Sequence, residues 1–116
     1  MKIRLKRVYD QPAKDDGLRV LVDRLWPRGL KKDEAAIDLW LKEIAPTGAL
    51  RQWFGHDPAK WPEFQRRYRD ELQTRQAEIA TLRERGGSGV VTLLYGARDE
   101  THNQAVVLRD FLAEGT

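Results

Sequence analysis

The spacing of hydrophobic and polar residues changes several times along this chain, and each change marks an element. Residues 2–9 alternate, with Ile3 and Leu5 set against Lys2, Arg4 and Lys6, the period of a strand with one buried face. Asp10 to Gly17 is rich in turn formers and charge, which predicts a solvated loop. Leu18 to Asp23 is a short leucine and valine run, broken by Arg19 and ended by Asp23, as in a central strand covered on both faces. Pro27 and Gly29 stop it, since proline removes a ladder donor and glycine favours a turn. Residues 37–44 fit a strand through Ile37, Leu39 and Leu41 and a helix through Ile37, Leu41 and Ile44; the strand reading is preferred.

Leu50 to Gly55 predicts a short helix closed by glycine. From the Asp57-Pro58 start signal, Trp61, Phe64, Tyr68 and Leu72 share one helical stripe, which Ile79 and Leu82 extend to the stop at Gly86. Val90 to Tyr95 is a second buried-strand run, and Thr101 with Gln104 has the form of a capping box before a last helix. This order predicts an α/β fold: a small, mostly parallel sheet of three to four strands with helices packed on it. Ligands in such sheets sit beyond the carboxyl ends of the strands, so the segments after Val22, Ile44 and Tyr95 hold the candidate site.

The first of these, Asp23 to Gly29, sets Arg24 and Arg28 around Trp26 on a proline-stiffened turn, suited to a phosphate or carboxylate held by guanidinium forks beside a stacking ring. The competing structural account has Trp26 plugging the core edge and Asp23 paired with an arginine. In the second, Lys42 stands beside Trp40, either to neutralise an anion or simply to snorkel across the indole. The third runs from Tyr95 to Asn103, where free amides at a helix start would attract an anion and disfavour the charged form of His102, leaving a neutral base. Against that, Asp99 or Thr101 is a simple cap and His102 a solvated side chain.

Length and composition narrow the chemistry. The 116 residues suffice for one core and one domain, and the absence of cysteine removes disulfides, thiolate metal sites and a cysteine nucleophile. The start of the chain has no continuous apolar run, so no membrane segment and a cytoplasmic location are expected. A net charge of +3 leans mildly towards anionic partners. Ser88, the one serine, lies in a glycine-rich turn before a strand, a poor place for a nucleophile, and two separate histidines give no metal-ligand spacing. The arginines of the long helix alternate with Glu63, Asp70 and Glu71 at ion-pair offsets, which favours a solvated helix over a duplex-binding one.

Read together, Val22 to Gly29, Trp53 to Pro58 and Tyr95 to Asn103 resemble the bacterial YeaO-like family, filed as domain of unknown function 488. The resemblance spans nearly the whole chain; it implies a compact α/β fold with these strand-end motifs and no established activity. Thr47 stands where the family often has serine, and Gly96 where it usually has alanine, the latter an exchange expected to be harmless. The leading expectation is a pocket for a small phosphorylated or carboxylated ligand. Asp23 and His102 would be its proton-transfer candidates, with Arg24, Trp26, Arg28, Lys42, His56, Tyr95, Asp99 and Asn103 binding the ligand. No metal is expected and no cofactor is indicated. The alternatives are a nucleic-acid module using the arginine-rich helix with Trp53 and Trp61 as stacking plates, and a homodimeric interaction domain anchored by tryptophans.

Overall fold

The computed structural model describes residues 1–114. Four strands, β1 (Lys2–Arg7), β2 (Leu18–Leu21), β3 (Leu39–Trp40) and β4 (Val90–Tyr95), form one sheet in the order β1-β4-β2-β3. Every neighbouring pair is parallel, as the two long apolar runs imply, because parallel strands are covered on both faces. Five helices accompany the sheet: α1 (Lys32–Ala35), α2 (Gly48–Phe54), α3 (Trp61–Gln73), α4 (Gln76–Gly86) and α5 (Gln104–Glu114).

The two faces of the sheet differ. On one, Val20, Val91, Leu93 and Tyr95 meet Phe64, Tyr68, Leu72, Leu82 and Leu108 in the main core. On the other, Val8, Leu21 and Leu94 are covered by Trp26, Leu30, Ile37 and Trp40, so a loop closes this face where helices close the first. The rest of the second face is polar. There Asp16 accepts hydrogen bonds from Lys6 and Arg19, and Arg19 also donates to the Ala36 carbonyl (2.8 Å) and the Ala35 carbonyl (3.0 Å) at the end of α1. Gly17, at φ +66°, lets the chain pass so close to β4 that a Cβ there would lie 2.2 Å from the Val90 carbonyl oxygen.

Two elements depart from expectation. Residues 37–44 contribute only the two-residue edge strand β3, and Lys42–Ile44 then forms a 3-10 turn, because Ile44 is drawn into the core under Tyr68, whose hydroxyl donates to the Ile44 carbonyl (2.7 Å). The long helix is two helices. The Thr74 hydroxyl donates to the Glu71 carbonyl (2.6 Å), and Arg75 leaves helical geometry at ψ 37°, so α4 turns away from α3 while Ile79 and Leu82 still reach the core. The last helix is capped by Asn103 instead of Thr101: the Asn103 amide oxygen accepts from Ala105 N (3.0 Å) and Val106 N (3.2 Å).

Candidate functional site

The loops that follow the four strands enclose a hollow of about 480 Å³ at the carboxyl end of the sheet. Asp23 to Arg28 line it from the segment after β2, Ala45 and Pro46 from the one after β3, and Gly96, Ala97 and His102 to Gln104 from the one after β4, with Tyr9 after β1. The chain order places it there: beyond β2 the chain runs on to β3 at one edge, whereas beyond β4 it turns into α5, which packs on β4 and β1, so the two loops part. Helix α2 adds Arg51, Gln52 and Phe54, and His56 follows from a turn in which both Gly55 and His56 are left-handed.

Asp23 is half-buried at the base of this hollow and, among the described residues, is the one carboxylate lining it. Its Oδ2 accepts from Gly96 N (2.9 Å) and its Oδ1 from the Gln104 amide, and it has no ion-pair partner among the described residues. Burial pushes its pKa up, against the opposing pull of the Gly96 and Gln104 hydrogen bonds and the Arg51 charge. Gly96 matters here, because an alanine Cβ at that position would lie 2.8 Å from Oδ2. With alanine there the carboxylate would have to shift, a movement its own side chain can make.

Arg24 borders the same hollow, yet its guanidinium donates to the carbonyls of Ala45 (3.0 Å) and Pro46 (3.2 Å) and lies 3.6 Å from Glu43. It holds the loop after β3. From the other side Glu71 of α3 grips that loop, accepting from Thr47 N (2.9 Å) and the Thr47 hydroxyl (2.7 Å). Trp26 does plug the edge of the core, donating to the Leu30 carbonyl (2.7 Å) and packing edge-on against Trp40, while also lining the hollow. Arg28 and Arg51 are different: both are exposed at the rim, and neither side chain makes a hydrogen bond or ion pair with a described residue.

After β4, Asp99 organises the loop. Its carboxylate accepts from Thr101 N and His102 N (both 3.0 Å) and lies 3.0 Å from His102 Nδ1; the Thr101 amide first, then His102, hold its pKa down at about 2. His102 therefore faces a carboxylate and stands edge-on to Trp61 at 5.2 Å, outside α5, and the amides expected to be free at the helix start are already taken by Asn103. Asn103 is buried, with its amide nitrogen donating to the Asp99 carbonyl (2.9 Å).

Of the residues expected to form the site, Asp23, Arg24, Trp26, Arg28, His56, His102 and Asn103 all line the one hollow. Lys42, Tyr95 and Asp99 do not. Lys42 lies over the Trp40 ring at 5.3 Å, Tyr95 is buried with its hydroxyl pKa pushed up by burial, and Asp99 serves His102. Arg51, Gln52, Gln104 and Tyr9 escaped the sequence reading. On α3, Arg66 and Arg67 pair with Glu63, and Arg69 pairs with Glu114 across to α5. Trp53, expected as a stacking plate, is covered by Lys60 at 5.2 Å and Arg67 at 4.1 Å. Among the described residues no group of His, Asp or Glu side chains is placed to hold a metal, and no helix is long and apolar enough to cross a membrane.

A family model described as the inactive DUF488-N3 subclade matches residues 2–116. The chain is 44% identical to the uncharacterized protein YeaO of Escherichia coli over 97% of both chains. It is 41% identical to an uncharacterized protein of Mycobacterium tuberculosis, covering 96% of this chain and 93% of that one. No solved structure matches it.

Proposed function

The chain belongs to the YeaO-like DUF488 family, and on that premise we propose that it binds a small phosphorylated or carboxylated ligand, without turning it over, in the hollow at the carboxyl ends of its strands. The observation that carries this reading is the pair of uncommitted guanidiniums, Arg28 and Arg51, set on one concave rim with His56. An arginine with no intramolecular hydrogen bond or ion pair keeps its planar fork available for two oxygens of an anion. Phe54 and Phe64 supply an apolar wall for the rest of the ligand.

Two observations speak for binding without turnover. The matching family model is described as inactive, and two of the groups that would move protons or attack, His102 and Ser88, are engaged or elsewhere. His102 is held by Asp99, and Ser88 precedes β4, at the other end of the sheet from the hollow. A nucleic-acid module would instead need a bare basic face, which the ion pairs of α3 do not leave.

The test is thermal unfolding with phenyl phosphate and with benzoate, since a ligand of the native state raises the midpoint by mass action. The expected result is a rise that grows with concentration and is lost in the Arg28→Ala, Arg51→Ala double variant. No rise with either compound, or the same rise in the double variant, would overturn the reading.

A further inference from the structure

An anion pocket has no need of a carboxylate at its base, yet Asp23 sits there half-buried. Its place in the fold is unlike that of Asp16, the other carboxylate flanking β2, which lies between Lys6 and Arg19. Asp23 receives only uncharged donors, the Gly96 amide and the Gln104 side chain, and no cation comes within ion-pair distance among the described residues. A carboxylate offers about four acceptor positions, so two are left unfilled by the protein. Gly96 allows this arrangement, because a Cβ there would displace Oδ2. Arg24, the nearest cation in sequence, is turned away onto the carbonyls of Ala45 and Pro46, and Arg51, whose charge Asp23 feels, makes no hydrogen bond or ion pair with it.

We propose that the ligand is bipolar: an anionic group rests on Arg28 and Arg51 at the rim, and an ammonium or other nitrogen donor reaches Asp23 at the base. This rests on the anion-binding reading and adds to it the chemical class of the ligand's other end. A plain anion would meet Asp23 as a like charge in a poorly solvated place, which costs affinity. A ligand with a donor at that end turns the same group into an anchor, and Asp23 then selects among anions.

Isothermal titration with a matched pair of probes, 4-(aminomethyl)phenyl phosphate and 4-methylphenyl phosphate, tests this directly. The wild-type protein should bind the amine about tenfold more tightly, the scale of one charge-assisted hydrogen bond. The ratio should fall towards one in Asp23→Asn. It should fall also in Gly96→Ala, which keeps the charge and moves it. Arg28→Ala should weaken both probes and leave the ratio alone, a readout that a merely structural Asp23 would not produce. Equal binding of the two probes by the wild type, with measurable affinity for both, overturns the bipolar ligand and spares the anion pocket. A ratio unchanged in Asp23→Asn overturns it likewise. No binding of either probe overturns both.

Discussion

Strand β2 is flanked by a carboxylate and an arginine at each end, and the two couples have opposite fates. Before and at its start, Asp16 and Arg19 pair directly, at 5% and 4% exposure, with Lys6 and the carbonyls of Ala35 and Ala36 taking up the remaining capacity. Beyond its end, Asp23 and Arg24 turn apart, one to the Gly96 amide and the other to the loop carbonyls, and a hollow opens between the strand-end loops. The residue types are the same. What differs is whether neighbouring segments close over them: Gly17 brings the chain onto β4 at the sealed end, whereas at the open end the chain departs through Pro27 towards β3. A charged pair thus fastens the fold in one place and in the other leaves groups uncommitted.

The largest predicted contrast comes from removing the two arginines. Arg19→Ala leaves a buried Asp16 and the buried Ala35 carbonyl short of a partner and should cost about 3–5 kcal/mol in urea unfolding. Arg24→Ala loses two partly exposed hydrogen bonds and should cost about 1 kcal/mol. The two glycines come next. Gly17→Ala combines a left-handed φ with overlap against the Val90 backbone and should cost about 3 kcal/mol. Gly96→Ala meets only the side chain of Asp23, which can shift, and should cost about 1 kcal/mol or less.

The carboxylates differ in the sign of their pH dependence. Burial raises the Asp16 pKa, but the Ala13, Lys6 and Arg19 hydrogen bonds and the Lys6 charge together bring it below the ordinary 3.8. Its stabilisation is complete above 3.8 and is lost as pH falls through the lowered folded value. Asp23, raised chiefly by burial, binds its proton more tightly folded than unfolded, so its contribution is greatest below 3.8 and is lost as pH rises through the raised value. Unfolding free energies measured across the acid range should lose part of their acid decline in Asp16→Asn. In Asp23→Asn they should instead lose a decline that runs in the opposite direction. The smallest effects on stability belong to Arg28→Ala and Arg51→Ala, each within about 0.5 kcal/mol because neither exposed side chain has a hydrogen bond or ion pair to lose.

Much of the fold was legible in the sequence for one reason: β2 and β4 are covered on both faces, and continuous apolar runs such as Leu18 to Val22 and Val90 to Tyr95 have few other uses. The edge strand was blurred because Ile37 and Ile44 serve opposite faces of the sheet, one in the loop-covered cluster and the other in the main core, so no single period describes residues 37–44. The break between α3 and α4 carries no proline or glycine; a threonine hydroxyl bonding back to the Glu71 carbonyl accompanies it. At the site, the turn formers after each buried run marked the right loops. Arg51 was invisible because its place depends on how α2 lies across the sheet, and the engagement of Arg24 and Asn103 was invisible because their partners are backbone atoms of other segments or of their own cap.

Whether an anion settles in the hollow beyond β2 and β4 is tested most directly by amide chemical-shift mapping with phenyl phosphate. Shifts that saturate and cluster at Leu25, Arg28, Arg51, Gly96 and Gln104, with the Trp26 indole moving too, are the predicted result. Saturating shifts confined to α3 and α4, or at the sealed Asp16 end of the sheet, would contradict it.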